Sequence, residues 1–147
     1  MNASLFETLH AHGWAWGFVS GAEPPSARFV LEQRLGLNAP PLIAMGDAPD
    51  KPDPTGLRQM SESLLTSSEA TTVAYLGDTV ADVQTVIRAR AEQPERTWIS
   101  LAVAPPHLHA HPVERRAYEQ RLMEAGADHI LSSTMAVTEW LESAAQR

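Results

Sequence analysis

A chain of 147 residues, 44% hydrophobic and 20% charged, suits one globular domain with a single real core. A formal charge of −7 argues against nucleic acid as a partner, and the lack of cysteine excludes disulfides, thiolate catalysis and Cys-type zinc sites. No apolar run reaches bilayer-spanning length and residues 1–13 lack a secretory pattern, so the expectation is a cytoplasmic protein without membrane contact.

The elements alternate along the chain. Ser4 to His12 reads as a short helix stopped by Gly13, and Trp14 to Val19 as a buried strand. The aromatic residues Trp14, Trp16 and Phe18 suit core packing better than a stacking platform. Pro24 and Pro25 open a helix to about Leu35, with Phe29, Val30 and Leu35 as apolar positions and Gly36 as its end. Leu42 to Met45 is the second strand. Pro54 begins a helix to about Leu65, closed by a loop at Thr66, Ser67 and Ser68. Val73 to Leu76 is a strand, and Thr79 to Ala91 a helix with Val80, Val83, Val86 and Ile87 at helical spacing.

Trp98 to Val103 is the fourth strand, followed by the loop APPHLHAHP. In extended backbone His107, His109 and His111 would face one way, as a zinc or copper site requires; a solvated loop between prolines is the plainer alternative. Val113 to Ala125 is a helix on which Arg115, Arg116 and Arg121 mix with Glu114, Glu119 and Glu124, a solvated face rather than a basic stripe. His129 to Leu131 is the last strand, and Thr134 to Ala145 a helix with Met135, Val137, Trp140 and Leu141 available for the core.

Five strands alternating with six helices predict an α/β fold: a Rossmann-like three-layer α/β/α arrangement around a mostly parallel sheet, in one domain spanning 1–147. Such sheets bind ligands at the carboxyl ends of their strands. Three features fall there. Ser20-Gly21 follows the first strand, where a hydroxyl and open backbone N–H groups suit an anion, or a plain turn. Lys51 follows the second, in a proline-fixed loop, as a point charge for phosphate or a solvated lysine. Asp78 and Asp82 follow the third, where they suit either Mg²⁺ or helix capping. Taken together, a hydroxyl, a cation and two carboxylates are the parts needed to handle a phosphoryl group.

These residues resemble the haloacid dehalogenase (HAD) superfamily: Ser20 in FVSG as its second motif, Lys51 in KPDP as its third, and GDTVADV as its fourth. The resemblance covers essentially the whole chain and is nearest to the phosphatase-like branch, because the dehalogenases proper have Ser-Asn where this chain has Gly77-Asp78. It implies Mg²⁺-dependent hydrolysis of a small phosphorylated metabolite. Ser20 would donate to a phosphoryl oxygen, Lys51 would neutralise charge, Asp78 would ligate Mg²⁺ and Asp82 would support the metal.

The resemblance has a gap. The first motif, Asp-x-Asp-Gly, which carries the nucleophile in the family, is not found, and the only acid ahead of Ser20 is Glu7. The substrate-selecting cap is also missing. The chain therefore resembles the C-terminal part of a HAD protein whose central strand is lacking. Two expectations follow: no turnover by the isolated chain, and, in the middle of the sheet, either exposed strand edges or direct pairing across the gap, so that the chain closes the gap by rearrangement, self-associates, takes the missing strand from a second chain, or is a truncated gene product. The alternative is a non-catalytic module that binds phosphate, metal or a partner.

Overall fold

In a computed structural model, which describes residues 2–65 and 72–145, the chain folds as two compact units, Met1–Ala70 and Thr71–Arg147. The loop expected at Thr66, Ser67 and Ser68 lies outside the described residues.

The first unit opens with α1 (Ala3–Ala11). The Asn2 side chain caps it, accepting from Ser4 N at 3.0 Å, and His12 and Gly13 follow its end, Gly13 with φ +78°. The inner face of α1 carries Leu5 and Phe6. The Phe6 ring lies 4.7 Å from Trp16 and 5.6 Å from Phe18, so the aromatic run packs as a cluster rather than as an open platform.

Strand β1 is only Phe18–Val19, pairing in parallel with β2 (Leu42–Ile43) in the register Phe18↔Leu42 and Val19↔Ile43. Both strands are shorter than the apolar runs that suggested them. β2 stops because Ala44 turns: Asp47 N donates to Ala44 O, and the Asp47 carboxylate accepts from Ala44 N at 2.9 Å. Packed on this ladder is α3 (Thr55–Leu64), whose Gly56 allows a close approach. A Cβ there would already be 3.4 Å from Val19, Ile43 and Ala48.

Between β1 and β2 the chain winds as α2 (Pro24–Arg28) and continues as a π-helix over Phe29–Arg34. The wider turn carries extra residues per repeat and rotates the inward face. Ala27 and Leu31 are buried, whereas the apolar positions Phe29 and Val30 are 53% and 44% exposed.

The second unit is a parallel ladder in the order β3-β4-β5, formed by Thr72–Gly77, Thr97–Val103 and His129–Leu131. Asp128 extends the ladder by one step. Its N–H donates to Ser100 O at 3.0 Å, and its carboxylate accepts from Ser100 N at 2.7 Å and from Arg90 at 2.8 Å. The crossovers are α4 (Val80–Glu92) and α5 (Pro112–Ala125), and α6 (Val137–Ala145) closes the unit. Val83, Ala102, Leu122 and Ala127 form one buried cluster drawn from α4, β4, α5 and the α5–β5 turn. Val86 and Ala89 complete the inner face of α4, while Ile87 is partly exposed and instead covers Gly126, at the end of α5. Val137 and Leu141 bury α6, and Trp140 rests against His129 at 5.6 Å.

The fold is α/β with parallel pairing throughout, as expected. In place of one sheet, the described residues form ladders of two and three strands, so β1 and β3 each pair on one side only.

Candidate functional site

Ser20, Gly21 and Lys51 belong to the first unit, and Asp78 and Asp82 to the second, and each group has its own surroundings.

In the first unit, Ser20 stands one residue past β1. Its N–H prolongs the ladder by donating to Ile43 O at 2.8 Å. Its hydroxyl oxygen accepts from Ala22 N at 3.1 Å, a turn that leaves the O–H to donate outward. Ala22 O in turn accepts from Met45 N at 3.0 Å, tying the loop after β1 to the end of β2. Gly21 is exposed, and a Cβ there would meet nothing within 4 Å, so no neighbouring atom requires glycine. Lys51 is half-buried at the second position of a turn closed by Asp53 N donating to Asp50 O at 3.0 Å, and the Lys51–Pro52 peptide is cis. Asp53 then leads into α3, its carboxylate accepting from Thr55 N at 2.9 Å.

In the second unit, β3 ends at Gly77 and α4 begins after Thr79. Thr79 and Asp82 form a reciprocal capping box: the Thr79 hydroxyl accepts from Asp82 N at 3.1 Å, and Asp82 Oδ2 accepts from Thr79 N at 3.2 Å. The same Oδ2 accepts from the Thr79 hydroxyl at 2.9 Å and from Asp78 N at 3.1 Å. Oδ1 accepts from the Tyr75 phenol at 3.2 Å. Asp82 is 5% exposed, and both of its oxygens are engaged by the protein. Gly77 provides the necessary clearance, since a Cβ there would lie 2.4 Å from the Asp82 Cβ. Burial first, then the Asp82 charge and hydrogen bond, raise the Tyr75 phenol far above its ordinary value of 10.0.

Asp78 is different. Its backbone N–H is bound by Asp82, and its carbonyl accepts from the Tyr118 phenol at 2.5 Å. The side chain is half-buried, and among the described residues no hydrogen bond or ion pair engages its carboxylate. One carboxylate of the motif builds the turn and the other is presented by it. Sequence reasoning missed Tyr75 and Tyr118. Tyr75 carries a weak signal, two residues before the motif glycine on a strand; Tyr118 arrives from a helix forty residues on and carries none.

The histidine loop takes a different form from the extended one that would align its rings. Pro106–Leu108 is a 3₁₀ turn, and His109 Nε2 lies 2.9 Å from Ala104 O. Among the described residues no group of three or more His, Cys, Asp or Glu side chains could hold a metal ion, and no helix is long and apolar enough to cross a membrane.

No family model and no curated protein matches the sequence. Solved structures do match. A phosphonoacetaldehyde hydrolase-like protein from Oleispira antarctica aligns over 99% of this chain with a TM-score of 0.78 and 17% identity. A hydrolase from Pseudomonas syringae aligns over 96%, with a TM-score of 0.71 and 17% identity. The chain shares the α/β fold of these two proteins. It spans 56% and 57% of those two proteins, so the likeness concerns a little over half of each.

Proposed function

We propose that this chain carries the phosphate- and Mg²⁺-binding part of a HAD-like phosphomonoester hydrolase. The observation that supports it is the Asp78 carboxylate, held at the end of a parallel strand without a partner among the described residues. Mg²⁺ is commonly held by one or two carboxylates, with water and phosphate oxygens completing its octahedron, and Asp78 fits that requirement. Asp82 does not act as a second ligand in this reading; it fixes the turn that carries the first. Bound at Asp78, Mg²⁺ would offset charge on a phosphoryl oxygen. The Ser20 O–H would donate to such an oxygen, with Gly21 beside it in the same loop, and the Lys51 ammonium would supply positive charge.

Covalent phosphoryl transfer through a carboxylate needs an aspartate placed for attack. The only acid ahead of Ser20 is Glu7, which lies within α1. The isolated chain is therefore a binder of phosphate and metal rather than a complete catalyst. A second, different chain, adding a strand that carries such an aspartate to the half-paired β1 or β3, would be the partner that completes it; a second copy of this chain could cover a strand edge but would bring no nucleophile.

The test is p-nitrophenyl phosphate with Mg²⁺, beside Mn²⁺ and inorganic phosphate binding by calorimetry. Binding lost in Asp78→Ala, with turnover at background, is expected. Robust turnover by the isolated chain would refute the missing nucleophile, and no binding of either probe would refute the site.

A further inference from the structure

We infer that Tyr118, on α5, is a positioning residue that aims the Asp78 carboxylate through its bond to the Asp78 carbonyl. The inference rests on the proposed role of Asp78 as a metal ligand.

A side chain's direction from the backbone is set by the two peptide planes that meet at its Cα. Both planes at Asp78 are pinned. The preceding plane is held by Asp78 N donating to Asp82 Oδ2 at 3.1 Å. The following plane is held on one side by Thr79 N donating to the same oxygen at 3.2 Å, and on the other by the Tyr118 phenol donating to Asp78 O at 2.5 Å. Asp82 is local, three and four residues away. Tyr118 is the anchor that refers Asp78 to the rest of its unit.

That anchor is itself fixed without help from its hydroxyl. The Tyr118 ring packs against the cluster of Val83, Ala102, Leu122 and Ala127, and the Arg121 guanidinium covers it at 5.0 Å. A phenol carries its proton throughout the neutral range, so the hydroxyl is the donor in this bond. Mg²⁺ demands near-ideal octahedral geometry, and so penalises a ligand whose backbone can turn.

Mn²⁺ serves as the probe, followed by electron paramagnetic resonance on the full chain in wild type, Tyr118→Phe and Asp78→Asn. Phenylalanine keeps the ring and its packing and removes only the donor. The expected result is an Mn²⁺ dissociation constant raised about fivefold in Tyr118→Phe, the weight of one net hydrogen bond, and binding lost in Asp78→Asn. The Asp78 carbonyl carbon resonance should shift in Tyr118→Phe before any metal is added. A shifted resonance with unchanged Mn²⁺ affinity would reduce Tyr118 to a packing role and overturn the inference while leaving Asp78 as the ligand. An unshifted resonance would overturn it directly. If wild type and Asp78→Asn bind Mn²⁺ alike, the ligand assignment falls and the inference with it.

Discussion

Replacing each motif aspartate by alanine should separate their roles. Asp82→Ala removes the acceptor for Asp78 N, Thr79 N, the Thr79 hydroxyl and the Tyr75 phenol together. Losing a helix cap costs about 1 kcal/mol, and leaving the part-buried donors unpaired adds about 1–3 kcal/mol. The sum, about 3 kcal/mol, corresponds to a melting temperature lowered by roughly 10 °C for a chain of this size. Asp78→Ala removes a carboxylate without a partner among the described residues, and stability should change by no more than about 0.5 kcal/mol. The assay is thermal unfolding by circular dichroism beside Mn²⁺ titration of both variants. Asp82→Ala should melt early, and Asp78→Ala should melt like wild type yet fail to bind. An Asp82→Ala protein that melts within about 2 °C of wild type would mean that the capping network contributes nothing and that Asp82 is a solvated group after all.

Further outcomes concern Gly77 and Tyr75 beside this turn, and Gly17 in the first unit. Gly77→Ala should destabilise by about 1–3 kcal/mol, because its Cβ would overlap Asp82 in a fixed network. Gly17→Ala should cost less in the same denaturant titration, since its Cβ would meet Met60 Sδ at 2.5 Å on a side chain able to move. Tyr75 makes the fold sensitive to alkali. Its folded value is raised, so its contribution is complete below the unfolded value of 10.0 and declines as pH rises beyond it, while the unfolded chain gives up a proton that the folded chain keeps. Denaturation midpoints should fall above about pH 10 in wild type and fall less in Tyr75→Phe, and equal slopes would refute the assignment.

The alternation of strands and helices was legible because it is written in local periodicity, and every predicted element within the described residues has a counterpart. Lengths were less legible. Trp14 to Val19 reads as a six-residue strand, yet only Phe18 and Val19 find a partner, because pairing is decided by β2 and its early turn at Asp47. The exposure of Phe29 and Val30 follows from a π turn that no pattern in PPSARFVLEQR announces. Within the site, the GDTVADV segment showed which residues matter but left open what each does. Capping and metal binding draw on the same residue types at the same spacing, and only the hydrogen bonds distinguish them.

Those bonds also explain the spacing itself. Thr79 caps α4, and the third helical position is the one place from which a carboxylate can reach back to the cap's own N–H, so Asp82 must lie three residues on. From there its Oδ2 also reaches the N–H of Asp78, and this is possible only because residue 77 lacks a Cβ. Gly77, Thr79 and Asp82 are thus accounted for by the geometry of a strand turning into a helix. Asp78 is not: nothing in that geometry asks for a carboxylate at 78. The chemical content of the segment therefore rests on this one residue, and the surrounding residues make its direction reproducible.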